Sequence, residues 1–237
     1  MKKIIILGLI IASLNVFSQK NIIKAGLLGV AFGDLSLGYE RAITPGTSIN
    51  FNAGYWDLKM SPIDLKSYFD EGEGVWLDEI KNGWNASLEY RFYLGKQEAL
   101  KGLYLAPYLR YWNNSFVFND YISKNEINEL FDVRTKISGW GLGFQMGYQW
   151  LINDKISIDW YFFGASIERV FMNASYVIAS NREFSYQTIV GDVRDVFSGF
   201  NLLEKNLVTR ADPDRLKIEL PILSPGIRTG LTIGYAF

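Results

Sequence analysis

The sequence predicts an all-β fold, an eight-stranded antiparallel up-and-down transmembrane β-barrel with short periplasmic turns and long, partly helical outer loops. Three observations predict it: repeated segments of strict two-residue alternation, connections that alternate between short and long, and the absence of any apolar run long enough for a membrane helix after the first eighteen residues.

The chain has 237 residues, 49% hydrophobic and 16% aromatic, with 24 basic against 25 acidic side chains and neither cysteine nor histidine. The missing cysteine excludes disulfide frameworks, thiolate metal sites and cysteine nucleophiles. The missing histidine excludes Ser-His-Asp chemistry and nearly all nitrogen-ligated zinc sites. At the start, Lys2 and Lys3 precede an apolar core from Ile4 to Val16, and small Ser18 precedes polar Gln19. That is the layout of a signal peptide over residues 1–18, leaving 19–237 as one barrel domain. No cysteine stands near the junction to be acylated, so the mature chain has to hold its place by its own fold. Removing Lys2 and Lys3 leaves 22 basic against 25 acidic residues, which gives no reason to expect a nucleic-acid partner.

The first candidate strand, Asn21 to Gly33, is apolar on both faces, and its phase is ambiguous. In the second, Leu35, Leu37, Tyr39 and Ile43 alternate with Ser36, Gly38, Glu40 and Ala42. Ile49, Phe51, Ala53 and Tyr55 then alternate with Asn50, Asn52, Gly54 and Trp56. The fourth strand sets Trp84, Ala86, Leu88, Tyr90 and Phe92 against Asn85, Ser87, Glu89, Arg91 and Tyr93. In the fifth, Leu103, Leu105, Pro107, Leu109 and Tyr111 oppose Tyr104, Ala106, Tyr108, Arg110 and Trp112. The sixth sets Trp140, Leu142, Phe144, Met146, Tyr148 and Trp150 against Gly141, Gly143, Gln145, Gly147 and Gln149. The seventh sets Ile156, Ile158, Trp160 and Phe162 against Ser157, Asp159, Tyr161 and Phe163, and the eighth Ile227, Thr229, Leu231, Ile233, Tyr235 and Phe237 against Arg228, Gly230, Thr232, Gly234 and Ala236.

Connections decide which way the barrel stands. Thr44 to Thr47, Gly95 to Lys101 and Asn153 to Lys155 are short and turn-rich. At the other end, Lys59 to Gly83, Asn119 to Thr135 and Asn173 to Leu216 are long, and only Gly33-Asp34 is short. Short periplasmic turns, long outer loops and an even strand number describe an outer-membrane barrel.

Charge fixes the phase. With the aromatic and aliphatic faces outward, Glu40, Glu89, Arg91, Arg110, Asp159 and Arg228 all point into the lumen. The opposite phase would put these six charges into lipid, at a cost on the order of 10 kcal/mol. Inside, three acids and three bases can neutralise one another as an ion network, with Glu89 expected near Arg110 across the Gly95–Lys101 hairpin. Eight strands enclose a lumen that side chains can fill. The inward rings of Trp56, Tyr93, Tyr104, Tyr108, Trp112 and Tyr161 are therefore expected to plug it, with Gly141, Gly143 and Gly147 giving them room.

The terminal strand ends with Ile233, Tyr235 and Phe237 alternating outward. It resembles the C-terminal signal of bacterial outer-membrane barrels, which implies recognition by the barrel-assembly machinery. Leu35 to Thr47 (LSLGYERAITPGT), Gly102 to Tyr111 (GLYLAPYLRY), the terminal strand and the Val16–Gln19 junction together resemble the uncharacterised outer-membrane β-barrel families of Bacteroidota, among the small OmpA/OmpX-like eight-stranded barrels. The resemblance implies a location in the bacterial outer membrane among its lipid and lipopolysaccharide. No catalytic motif comes with it. Barrel proteases, phospholipases, lipid A deacylases and palmitoyl transferases use a histidine, and this chain has none.

Function is then expected in the loops, which hold roughly two-fifths of the mature chain. In the first, Asp70, Glu71 and Glu73 are weak candidates for a divalent cation, lack an EF-hand spacing and read more simply as a solvated acidic stretch. In the second, Ser123 and Glu126 have capping-box spacing before Ile127, Leu130 and Phe131, which predicts a short helix. In the third, Val193, Val196, Phe197, Phe200 and Leu203 stand at helical spacing, suited to capping the barrel mouth, lying in the interface or meeting a partner. The sequence as a whole predicts a non-enzymatic structural or adhesive barrel without cofactors. The alternative is a small-ligand or transport barrel gated by the loop helix around 190–203.

Overall fold

The computed structural model describes residues 20–62, 75–95, 99–124, 127–180, 183–191, 194 and 201–237. The expected leader over 1–18 and the candidate acids Asp70, Glu71 and Glu73 lie outside them.

Among the described residues nine strands form one antiparallel sheet: β1 (Asn21–Gly26), β2 (Asp34–Thr44), β3 (Thr47–Trp56), β4 (Val75–Tyr93), β5 (Gly102–Lys124), β6 (Ile127–Ile152), β7 (Ile156–Ile178), β8 (Val208–Asp212) and β9 (Arg215–Ala236). Each pairs with its sequence neighbour up to β7, β7 pairs with β9, and β9 returns to β1 with Ile22 opposite Ala236. Eight strands therefore close the ring. β8 pairs only with Arg215–Glu219 of β9 and extends that strand's far end as a hairpin.

The ring is much taller on one side. β5, β6, β7 and β9 run 22 to 26 residues, against 10 and 11 for β3 and β2. A tilted strand crosses a bilayer in about 9–11 residues, so over half of β6 stands beyond that span. This replaces the short helix expected around Ser123–Phe131: β5 continues to Lys124 and β6 starts at Ile127, with residues 125 and 126 outside the described set. Each added pair extends a hydrogen-bonded ladder that a single helical turn would have to break, so the local capping signal loses. The first long connection is likewise shortened by β4, which begins at Val75.

The turns at the other end are tight. Lys155 N–H donates to the Ile152 carbonyl at 3.1 Å, and Asn153 and Asp154 both have positive φ, 50° and 56°. That is the primed geometry a right-twisted hairpin favours, in residues that tolerate it.

The outer face is apolar and ends in two aromatic girdles. Toward the loops, Trp84, Tyr111 and Trp140 touch in series across β4, β5 and β6, with ring centroids 4.7 and 4.6 Å apart. Toward the turns, Tyr90 meets Phe92 at 4.8 Å and Tyr148 meets Trp150 at 4.6 Å. Trp140 and Trp150 stand ten residues apart on β6. At about 3.3 Å per residue and the usual tilt, that is about 25 Å across the membrane, the height of the lipid-facing band in outer-membrane barrels. Outward positions between them, Leu142, Phe144, Met146 and Tyr148, carry no charge.

Apolar clusters lie inside the ring near its ends. At the turn end, Ile22, Leu100 and Ala236 are buried with Ala42, Ala99 and Leu151 against them. Leu100 takes a φ of 76°, unusual for a branched side chain, and is only 1% exposed. At the loop end, a 3₁₀ turn at Tyr186–Ile189 drops Tyr186 and Ile189 onto Phe131, Val133, Ala174, Leu216 and Ile218. This packing lies against the tall wall of β6, β7 and β9 and comes from residues just before the stretch expected to cap the mouth. Of that stretch, positions 190, 191 and 194 are helical, and Leu203 lies in α1 (Asn201–Asn206). Val193, Val196, Phe197 and Phe200 lie outside the described residues.

Candidate functional site

Inward positions toward the turn end hold an ion cluster that crosses the lumen. Arg91 Nη1 lies 2.6 Å from Asp159 Oδ2 and 3.2 Å from Glu40 Oε2, while its Nη2 lies 2.6 Å from Glu89 Oε2. Arg228 Nη2 reaches Glu89 Oε1 at 3.0 Å. A residue the alternation could not assign completes the set: Lys24 Nζ lies 2.5 Å from Glu40 Oε2, 2.7 Å from Asp159 Oδ2 and 2.6 Å from Gln149 Oε1. Three cations thus face three carboxylates.

Neutral donors occupy the remaining carboxylate lone pairs. Ser48 and Tyr93 hydroxyls donate to Glu40, Tyr104 Oη donates to Asp159 at 2.8 Å, and Asn50 Nδ2 donates to Glu89 at 2.9 Å. Arg91 also lies over the Tyr104 ring at 4.3 Å. Below it, Gln149 Nε2 donates to the Leu100 carbonyl at 2.7 Å and ties the cluster to the apolar floor. A buried cluster of this kind holds only while each charge keeps its partner, because an uncompensated ion in such surroundings is costly.

Arg110 does not meet Glu89, contrary to the expectation from the hairpin. In the β4–β5 register Ser87 stands opposite Arg110 and Glu89 opposite Tyr108. Arg110 Nε instead lies 3.4 Å from Glu168 Oε1, and Glu168 also accepts from Trp112 Nε1 at 2.9 Å and from Ser166 Oγ at 2.7 Å. Glu168 comes inside because β7 carries a bulge. Met146 pairs with Phe163 and Gly147 with Tyr161, so Phe162 is an extra residue, and both phenylalanines face outward at 36% and 51% exposed. Phe163 therefore does not point inward as its alternation suggests, and the phase of the rest of β7 is reversed.

Ring packing follows from pairings with glycine. Tyr104, Tyr108 and Trp112 of β5 stand opposite Gly147, Gly143 and Gly139 of β6, and Arg110 stands opposite Gly141. A β-carbon at 143 would come within 2.5 Å of the Tyr108 ring, and one at 139 within 2.8 Å of Trp112. Tyr161 lies likewise over Gly230.

The rings do not fill the whole lumen. Above the cluster a cavity of about 430 Å³ remains, lined by Asp34, Asn52, Trp56, Asn85, Trp112 and Arg228 among others. The expectation of a side-chain-filled interior therefore describes the turn half, while the loop half is open between its walls. Among the described residues no group of histidine, cysteine or acidic side chains is gathered tightly enough for a metal ion.

A closed antiparallel ring with an apolar outer belt, aromatic girdles and a charged interior defines a transmembrane β-barrel. The chain belongs to the family described as "Protein of unknown function (DUF3575)", whose model matches residues 4–176. No curated protein matches it. Among solved structures it is similar to a major outer membrane protein from Thermus thermophilus, at 15% identity over 93% of this chain and 100% of that one, with a TM-score of 0.39. It is also similar to the outer membrane protease OmpT from Escherichia coli, at 8% identity over 92% and 93% of the two chains, with a TM-score of 0.35. Scores this low transfer neither protein's role to this chain.

Proposed function

We propose that this chain is an exported, non-enzymatic integral protein of the bacterial outer membrane, closed to ions, that presents its tall loop-end hairpins outside the cell in a structural or adhesive role. The observation that carries the reading is the ion cluster: Lys24, Arg91 and Arg228 bridge Glu40, Glu89 and Asp159 across the lumen above the Leu100 floor. Absence of histidine and cysteine supports the non-enzymatic part. In this reading residues 1–18 are cleaved on export, Ile233, Tyr235 and Phe237 address the chain to the barrel-assembly machinery, and lipid and lipopolysaccharide surround the belt.

Planar-bilayer recording tests the seal. Purified folded barrel is expected to give no stable unit conductance, whereas Arg91→Ala, which removes the cation shared by all three acids, is expected to leak if it folds. Steady channels in the unaltered protein would sink the closed-barrel reading. Protease added to intact cells is expected to cut only in the loop-end segments, and cleavage confined to the turns would reverse the orientation.

A further inference from the structure

The cavity above the ion cluster has the chemistry of a site rather than of a packing gap. It rises from Thr232, Asp159 and Arg228 on its floor to Asp34, Trp56 and Asn114 at a half-buried rim on the loop side. Its size falls in the ~300–1,000 Å³ range of small-molecule pockets. Two of the rings in its wall are held by their own hydrogen bonds. Trp56 Nε1 donates to the Phe32 carbonyl at 2.8 Å, and Trp112 Nε1 donates to Glu168 with its ring against Gly139. Both indoles are thus fixed in place, and what they add to the cavity is apolar ring surface rather than a spare N–H.

The polar lining is nearly all neutral in effect. Arg91, Arg228 and Asp159 are committed to the ion cluster, and Arg110 to Glu168. What is left is a set of short amides and hydroxyls, Asn52, Asn85, Asn114, Ser36, Ser87 and Thr232, with the carboxylate of Asp34. Asp34 accepts from Asn85 Nδ2 through Oδ2 at 3.4 Å, while its buried Oδ1 has no hydrogen-bond partner. Thr232, only 9% exposed, lines the cavity with an unpartnered Oγ1. Buried polar atoms without partners in the protein call for partners from outside it.

We propose that this vestibule binds a neutral polyhydroxylated ring, a single pyranose unit such as the end of a glycan, presented from the loop side. Asn52 Nδ2 already donates to Ser87 and Glu89 and Asn85 Nδ2 to Asp34, so a sugar's hydroxyl groups would donate to Asp34 Oδ1 and to the side-chain carbonyls of Asn52 and Asn85, and the C–H face of a pyranose suits an indole wall. Apart from Asp34, the lining charges are already compensated, so an anion finds no free cation there, and a cationic ligand is the competing occupant that the choline arm below tests. The site builds on a sealed lumen beneath it, and the two readings fail separately: conductance tests the seal, binding tests the vestibule.

The test uses the full-length mature barrel folded in an amine-oxide detergent, because alkyl glycoside detergents carry the probe chemistry. Tryptophan fluorescence is followed during titration with methyl glucoside, galactoside, mannoside and N-acetylglucosaminide, with choline and inorganic phosphate as charged arms. Saturable quenching by at least one neutral pyranoside is expected, with a dissociation constant on the order of 1 mM. Asp34→Asn, which keeps the shape, and Asn85→Ala are each expected to weaken it about tenfold or more, with gel mobility showing that both variants remain folded. No saturation by any pyranoside up to about 50 mM, or saturation by choline or phosphate alone, overturns the proposal.

Discussion

Arg228 on β9 and Glu89 on β4 stand on opposite strands of the ring, four pairings apart in either direction, and meet at 3.0 Å. A contact of that reach is available only where the lumen is narrow and the intervening side chains step aside. Arg228 lies 4.7 Å from both the Tyr108 and the Tyr161 ring, which flank its path. The barrel is therefore tied across its interior as well as around its wall.

Breaking that tie leaves Glu89 with Arg91 alone among cations. Arg228→Met is expected to destabilise the folded barrel by about 3–5 kcal/mol, read as a shift in the urea midpoint of refolding in detergent. The double variant with Glu89→Gln is expected to lose less than the sum of the single losses, because it removes both charges of one pair. Strict additivity, or an unchanged midpoint in Arg228→Met, would show that the pair contributes nothing.

Arg110 offers the graded comparison. Its side chain is 26% exposed and its link to Glu168 is 3.4 Å, so water screens the pair. Arg110→Met is expected to cost about 1 kcal/mol, clearly less than the loss at Arg228. A larger loss at Arg110 would mean that the ion order across the lumen is wrong.

Gly230 is a steric test of the inner wall. A β-carbon there would stand 2.0 Å from Tyr161 Oη and 2.1 Å from its Cζ, whereas one at Gly46 meets nothing within 4 Å. Gly230→Ala is expected to destabilise by about 1–3 kcal/mol through overpacking, and Gly46→Ala to change little. Adding Tyr161→Ala should relieve the collision, so equal midpoints for Gly230→Ala with and without it would contradict the packing.

Much of the barrel could be read from the chain because a period of two reports the face directly. Leu35, Trp84, Leu142 and Ile227 lie on the lipid side as alternation requires, and Glu40, Glu89, Arg91, Asp159 and Arg228 come together inside. Lys24 was not legible, since β1 is apolar on both faces and its phase is fixed only by pairing with β2 and β9. Glu168 was hidden by the bulge at Phe162, which shifts the period by one residue with only Gly164, two positions on, to mark it. The partner of Arg110 follows from that shift, which brings Glu168 inside, and from the β4–β5 register, which sets Ser87 rather than Glu89 opposite Arg110. The vestibule was not legible either, because it depends on which rings lie against glycines across the ladder, a property of register.

The β8–β9 hairpin should respond to acid. Asp212 accepts from Lys217 Nζ at 2.7 Å and from Arg210 Nε at 3.1 Å, and the Lys217 hydrogen bond holds its carboxyl below the usual aspartate range. A carboxylate whose folded value is depressed supports the hairpin fully above its unfolded value, near 4, and loses that support as pH falls through the lower folded value. Amide exchange of Val208–Asp212 is expected to quicken below about pH 4 relative to the barrel strands, and Asp212→Asn to lessen that pH dependence, the remainder belonging to Asp214, which the Arg215 hydrogen bond holds below the usual range in the same way. Protection that does not vary with pH across that window would show that these exposed pairs do not hold the hairpin.

Phe237 separates assembly from stability. Its backbone closes the seam, donating to the Asn21 carbonyl at 2.9 Å and accepting from the Asn21 N–H at 3.2 Å, while its ring is 49% exposed on the lipid side. Phe237→Ala keeps both seam bonds and removes only the ring. Its refolded midpoint is expected to fall by less than about 1 kcal/mol, since a half-exposed group away from the core rarely contributes more. Its level in the outer membrane of cells, read by heat-modifiable mobility of membrane fractions, is expected to drop several-fold, as is that of the chain lacking Phe237. Normal membrane levels of both variants would remove the assembly role from the terminal strand. A large midpoint loss in Phe237→Ala would instead make the ring a structural element of the seam, and its effect in cells would then follow from instability rather than recognition.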